Sequence, residues 1–453
     1  MIRPQTLVLS ISILASFVAF LDSSVVNVAL PAISRDLGGG LITQQWVVDA
    51  YLITLGSLIL LAGSLSDLFG RQRILFAGLV GFAVASILCA AAPSDVFLII
   101  ARALQGIAGA LLVPSSLAII MSSFSSKEQG KAIGTWTAWT GIAFVIGPLL
   151  GGFLVDSVSW RLIFAINIVP IAVCLWLLKS LDQPDHRSNT RIDSVGALLC
   201  SLGLSGTVFG HIEQSQYGWG SPLIFIPLVC GSVALVTFVF YENRKSEAML
   251  PLVLFKVRNF SAGNLATVAI YAGLSVATFL IVIFLQQVSK YSALEAGLAL
   301  LPVTIIMFFL SPRFGKLASI YGPRLFMSVG PFTAGLGFLL MLRVSAHINY
   351  WSQLLPGILV FALGLSMTVA PLTTAVLSDV EKIHSGIASA VNNAVSRIAG
   401  LIAIALIGIV TGPHLNLKGF HKAILLTGAV VILGGVIAYL GIRNPNKNLS
   451  LNK

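Results

Sequence analysis

Residues 134–152 read GTWTAWTGIAFVIGPLLGG, an uncharged apolar run holding five glycines (Gly134, Gly141, Gly147, Gly151, Gly152) and one proline, Pro148. In water this would be a poor helix, because glycine and proline both weaken helix interiors. In a bilayer the same composition is sensible: the backbone finds no water and must stay helical, while small residues let a neighbouring helix come close. Gly147 and Gly151 stand four apart on one face, and Pro148 removes a backbone donor and favours a bend. The run predicts a bendable, closely packed membrane helix. A small-residue pair of this kind signals packing and says nothing by itself about activity.

Composition extends that reading to the whole chain. Of 453 residues 57% are hydrophobic and only 9% charged, with a mean hydropathy of +0.96. A soluble domain carries roughly 25% charged residues. The net charge of +11 is spread over short loops, which argues for membrane orientation and against nucleic acid. The four cysteines all lie in apolar runs and the histidines lack ligand spacing, so no disulfide, metal or other cofactor is expected. There is no G-x-x-x-x-G-K-[ST] phosphate loop.

About fourteen runs approach the roughly 20 residues needed to cross a bilayer. They cover 7–30, 43–66, 73–92, 96–121, 131–155, 162–179, 192–210, 222–241, 260–287, 294–312, 323–342, 351–378, 386–410 and 421–442. The first is too long for a signal-peptide core and carries Asp22 and Asn27, so it is expected to remain as a helix. With both termini placed in the cytoplasm, nineteen of the 27 Lys and Arg fall in inside segments and six outside, the rest being Arg102 and Arg397 within helices. That bias follows the positive-inside rule.

The chain also repeats itself. Gly63-Ser-Leu-Ser-Asp67-Leu-Phe-Gly70-Arg71 returns 252 residues later as Gly315-Lys-Leu-Ala-Ser319-Ile-Tyr-Gly322-Pro323-Arg324, with Gly, Leu and Gly in register. The expected organisation is a six-helix half over 1–180, an inserted helix pair with its flanking loops over 181–257, and a second six-helix half with a short tail over 258–453. Duplicated halves are the usual construction of secondary transporters, with the substrate site near the midplane.

These residues resemble the major facilitator superfamily in its fourteen-helix drug/proton antiporter branch. Gly63, Asp67, Gly70, Arg71 and Arg73 are similar to the loop signature of the whole superfamily. Leu98-x-x-x-Arg102-x-x-Gln105-Gly106 resembles the helix-four signature associated with proton coupling. Gly141 and the Gly147-Pro148-x-x-Gly151-Gly152 core look like the helix-five antiporter signature, which favours export. Leu21-Asp22-Ser-Ser-Val-Val-Asn27-Val-Ala-Leu-Pro31, Phe284-Leu-Gln286 and Ser292-Ala-Leu-Glu295-Ala-Gly297 are similar to the fourteen-helix branch. The resemblance implies an all-α polytopic membrane protein with the major facilitator fold, two six-helix halves plus two extra helices, and no enzyme.

At roughly 1.5 Å per residue, Asp22, Asp49 and Arg102 reach a similar level in the outer third of the membrane. An ionisable side chain at the bilayer centre costs at least about 2.5–3.5 kcal/mol, which pairing reduces. Asp22 is read as a carboxylate that takes a proton or a cationic cargo, against the alternative of a purely structural ion pair. Arg102 is its coupling partner, or a group bonding only to backbone carbonyls. Asp49, beside Trp46 and Tyr51, either lines the cavity or marks the outer mouth. Asn27, Gln286, Gln287, Asn392 and Arg397 are cavity candidates. Glu213 is expected to be solvated or interfacial.

The resemblance implies that Asp67 acts as an inner latch, facing the helix start near Ser385, where a negative charge is favoured. The alternative is a surface ion pair of little worth. The whole points to proton-driven export of small amphipathic organic compounds by alternating access, from the cytoplasmic (inner) membrane of a bacterium. A dedicated exporter of a natural product such as a siderophore or lipid-like metabolite is the second reading; a membrane enzyme or channel ranks lower. Expected partners are substrate, protons and lipid, and an adaptor or outer-membrane component if the cell is Gram-negative. A monomer would suffice for this cycle.

Overall fold

The computed structural model describes residues 4–181, 192–245, 248–380, 385–412 and 414–444. Among the basic residues expected on the inside, Arg3, Arg187, Arg191, Lys382, Lys447 and Lys453 lie outside the described residues. Among those described there is no strand, and fourteen helices are long and apolar enough to cross a membrane. They are α1 (Pro4–Leu37), α2 (Gly40–Phe69), α3 (Arg71–Ala90), α4 (Asp95–Ser123), α5 (Ser126–Ser157), α6 (Leu162–Lys179) and α7 (Ser194–Tyr217). There follow α8 (Pro222–Arg244), α9 (Arg258–Gln287), α10 (Ala293–Tyr321), α11 (Pro323–Leu340), α12 (Leu355–Leu377), α13 (Ser385–Thr411) and α14 (Leu417–Gly441).

Most helices outrun the apolar stretch that announces them, because polar residues continue the turns beyond the lipid-compatible core. Their ends are made locally. Ser94, Asp193 and Asn416 accept bonds from the free amides of Phe97, Gly196 and Gly419 at 3.3, 2.8 and 2.9 Å, the N-cap arrangement that side-chain oxygens favour. Between α2 and α3 the backbone turns at Gly70 with φ 104°, and between α10 and α11 at Gly322 with φ 89°. Both values require glycine, so the repeated loop keeps its turn as well as its letters. Helix α6 is interrupted, with a break between Ala165 and Ile168.

The chain divides into two compact units. The first comprises Met1–Met249 and the segment Leu285–Leu298; the second comprises Leu250–Phe284 and Ala299–Lys453. In the first, Val8, Ile11, Phe82, Leu112 and Cys174 form part of one buried apolar cluster joining α1, α3, α4 and α6. The inserted helix α7 packs on α2 in this unit. Ser201 Oγ donates to Ser57 Oγ at 2.9 Å, and Trp46 rests against Phe209 with ring centroids 6.0 Å apart. Glu213 is half-buried and accepts from Trp46 Nε1 at 2.7 Å.

At the other end of the inserted pair, Asp193 is buried and ion-paired to Lys245 at 2.8 Å. Burial pushes the Asp193 carboxyl up, but Lys245, the Gly196 amide and Glu242 outweigh it and hold it below the usual carboxylate range. In the second unit α11 lies between α12 and α14 in close backbone contact. A Cβ on Gly337 would sit 2.5 Å from Phe361 N, and one on Gly435 would sit 2.9 Å from Ser328 O.

Candidate functional site

The interior of the first unit holds a charged cluster. Asp22 on α1 and Arg102 on α4 are fully enclosed, at 0% and 1% exposure. Arg102 Nη1 donates to Asp22 Oδ2 at 2.6 Å, and Asp22 Oδ1 accepts from Gln105 Nε2 and Asn167 Nδ2, each at 2.9 Å. All three partners are donors, which suits a carboxylate. Gln105 and Asn167 also reach Ser86 Oγ on α3, at 3.0 and 3.4 Å. Three helices thus meet at one acid, and α3 joins them through Ser86.

Arg102 has further partners of its own. Its Nε donates to Val47 O at 2.9 Å and its Nη1 to Gln105 Oε1 at 2.7 Å. The guanidinium carbon stands 4.3 Å from the centre of the Tyr51 ring and 5.7 Å from that of Phe164, within the range of a cation–π interaction. A buried ion pair normally becomes very costly when one partner is lost, by about 3–5 kcal/mol. Here the arginine retains a carbonyl, an amide oxygen and two aromatic faces, which reduces the cost of a transient separation.

Asp49 does not join this cluster. It is wholly buried on α2, and neither carboxylate oxygen has a hydrogen-bond partner among the described residues. Both polar atoms of the Gln44 side chain, five residues earlier, are in the same state. A charge left without partners in such surroundings is costly. Depth along the helices placed three groups at one level, but only two meet, because helix rotation decides which side chains face each other.

The glycines of the fifth helix divide into two sets. A Cβ on Gly147 would fall on Ser24 Oγ of α1, and one on Gly151 would lie 2.5 Å from Val25 Cγ2. A Cβ on Gly152 would lie 2.5 Å from Leu294 Cα, and one on Gly297 at 2.5 Å from Pro148 O. Gly134 and Gly141 meet nothing within 4 Å, so Gly141 takes no part in the close approach. Helix α5 runs unbroken through Pro148. Beyond it, Asp156 Oδ1 and Oδ2 accept from the Ala293 and Leu294 amides at 3.1 and 2.8 Å, capping the start of α10.

The remaining candidates are scattered. Asn27 donates to Ser23 O on its own helix at 3.4 Å, and Gln286 Nε2 to Val28 O at 2.8 Å. Gln287 is half-buried. In the second unit Asn392 Nδ2 donates to Asn264 Oδ1 at 3.0 Å and Thr267 Oγ1 at 2.8 Å, joining α13 to α9, and Arg397 lies in electrostatic reach of Tyr271. Asp67 is paired with Arg71 at 3.1 Å, and Arg71 also donates to Ala118 O at 3.0 Å. Gly63 meets nothing within 4 Å and Arg73 is exposed. Residues 381–384, beside the recipient expected for Asp67, lie outside the described residues.

Sequence reasoning passed over Asn167 and Ser86, and set Tyr51 beside Asp49 without its contact to Arg102. Gln105 stood within a quoted motif without a role, and Asn167 marks the break in α6. Among the described residues no three of His, Cys, Asp and Glu stand together so as to hold a metal.

Comparison with known proteins fits this architecture. The family model described as Major Facilitator Superfamily matches residues 12–404. The methylenomycin A resistance protein of Bacillus subtilis is 32% identical over 98% of this chain and 96% of its own length. The multidrug resistance protein Stp of Mycobacterium tuberculosis is 34% identical over 91% of this chain and 77% of its own. A crystal structure of a mutant peptide transporter POT in complex with sulfate shares the fold, with a TM-score of 0.71 at 14% identity over 96% of this chain and 93% of that one. A fourteen-helix chain with a duplicated loop, a glycine-packed fifth helix and these relatives belongs to the major facilitator superfamily, among its drug-resistance transporters.

Proposed function

We propose that this protein is a proton-coupled exporter of small amphipathic organic compounds, working by alternating access in a bacterial cytoplasmic membrane with both termini inside. The observation that carries the reading is the buried Asp22–Arg102 pair, in which an acid inside the membrane is held by an arginine that has other partners. Ionisable groups within transport helices mark ion pathways and proton relays. Protonation of Asp22 removes the charge that Arg102 neutralises. Arg102 then rests on Val47 O, Gln105 and Tyr51, and α1 is free to move relative to α4. Asp49, with no internal partner, is the acid available to a cationic cargo or a second proton.

Asp67 with Arg71 forms the inner latch of this cycle. Asp156 on the start of α10, with the glycine contacts at Gly152 and Gly297, holds the outer ends closed. The cycle requires no cofactor and takes its energy from the proton gradient. Relatives named for resistance to one antibiotic and to many drugs support both a broad and a dedicated cargo range. The unpartnered Asp49 favours the broad, cation-accepting one.

The test is ethidium movement in energised inverted vesicles, with and without a protonophore, for the parent and Asp22→Asn. Transport should collapse with the gradient and be absent in the variant. Gradient-independent transport would sink antiport, and inactivity across a varied drug panel would favour the dedicated exporter.

A further inference from the structure

The second unit carries a groove on its outer surface between α11 and α14, of about 320 Å³, lined by Ser328, Val329, Phe332, Thr333, Val436 and Tyr439. Its floor lies where Gly435 brings the two helices together. Its walls face outward: Phe332 and Tyr439 are exposed, as are the adjoining Leu325, Leu336 and Leu440. In a chain that spans a membrane, such a surface meets acyl chains.

What distinguishes this groove is the end at which α11 begins and α14 finishes. Arg324 Nε donates to Tyr439 O at 3.0 Å, and its guanidinium carbon stands 4.8 Å from the centre of the Tyr439 ring, the same ring that walls the groove. Arg258 donates to Gly441 O at 2.8 Å and Leu440 O at 2.9 Å. Two guanidinium groups are therefore fixed on the last carbonyls of α14. The helix end offsets only about half a charge. The three segments that meet here, 250–260, 321–326 and 437–444, contain Lys256, Arg258, Arg324 and Arg443 and not one acid.

We propose that this groove is a binding site for an anionic glycerophospholipid, one acyl chain lying along Phe332 and Val436 and the phosphate on Arg324 and Arg258. Basic pockets between membrane helices suit anionic headgroups, whereas a zwitterionic lipid brings its own amine to the same phosphate. The site is separate from the transport machinery around Asp22. Its assignment to the cytoplasmic leaflet rests on the proposed orientation; the binding itself does not.

The test uses the full-length protein in nonionic detergent, titrated with phosphatidylglycerol or phosphatidylcholine of matched chains and followed by native mass spectrometry. The tightest-bound lipid should be phosphatidylglycerol, and Arg324→Gln should weaken it about fivefold, the contribution of one basic residue near a lipid surface. Arg324→Lys should keep most of the preference. Thr333→Trp, which fills the groove from its rim, should displace both lipids, with folding checked by an unchanged elution profile. Equal binding of the two lipids by the parent would overturn the proposal. So would an Arg324→Gln protein with the parent's preference, or displacement of the lipid by glycerol phosphate as effectively as by phosphatidylglycerol.

Discussion

The two halves of this protein share a scaffold and differ in charge. In the first, Gly147 on α5 lets α1 approach at Ser24; in the second, Gly400 on α13 lets α9 approach at Ser275. These pairs recur at spacings of 251 and 253 residues, close to the 252 of the repeated loop. On that register the place of Asp22 is taken by Gly273, where a Cβ would fall on Val431 of α14. Helix α12, the fourth of the second half as α4 is of the first, has no charged residue at all. The second half builds a neutral net instead, of Asn264, Thr267 and Asn392. Close glycine packing thus belongs to the repeated scaffold, while the ion pair belongs to one copy of it.

The hardest blow to that contrast would come from Asp22→Asn. Uphill export should fall to background, and the buried Arg102 left without its acid should cost up to about 3–5 kcal/mol, reduced by its remaining partners; vesicle transport and melting in detergent report the two effects. Moving the acid across is the next test. Gly273→Asp in the Asp22→Asn protein should restore nothing and should destabilise by about 1–3 kcal/mol through overpacking against Val431. Any recovered proton-driven export would mean that the halves are interchangeable.

The scaffold itself can be probed with alanine. Gly147→Ala and Gly400→Ala should each destabilise by about 1–3 kcal/mol if both serve the same seam, whereas Gly141→Ala should be neutral or gain up to about 1 kcal/mol of helix preference. A harmful Gly141→Ala with a harmless Gly400→Ala would dissolve the parallel. A smaller effect is expected at the cap on α10. Asp156→Ala removes acceptors from two free amides and should shift the outer-closed population by about 1 kcal/mol, roughly fivefold, seen as greater outside labelling of a cysteine placed near Leu294.

The inserted pair belongs to neither copy, and the smallest change is expected there. Lys245→Gln should cost no more than about 1 kcal/mol at neutral pH, since the lysine is partly solvated. Asp193 has a depressed folded pKa, so its contribution is present above the ordinary value of 3.8 and is lost as pH falls below it through the folded value. A melting-temperature profile of the parent should therefore stay flat near neutrality and fall only on the acid side, with a shallower fall in Lys245→Gln.

Much of this is legible in the sequence. Fourteen spans, the repeated loop and the packing role of Gly147, Gly151 and Gly152 follow from apolar run length, spacing and residue size, which are local properties. The buried acid and arginine stood out for the same reason, since a charge in an apolar run is conspicuous wherever it lies. Asn167 and Ser86 did not stand out, because neutral polar residues are common in membrane helices and only their convergence on Asp22 gives them a role. Glu213 stood out as solvated or interfacial, but its bond from the Trp46 indole did not, because nothing local shows that the two meet.

Sequence alone therefore determined which segments lie in the membrane, how the chain is duplicated and which charges must find partners there, because burial in lipid penalises each residue one at a time. The tertiary structure decided the pairing. It joined Asp22 to Arg102 and left Asp49 aside, and it set Asp156 on α10 and two arginines on the end of α14. Such choices depend on the rotation of each helix about its axis, and that rotation is fixed by packing against neighbours distant in the chain.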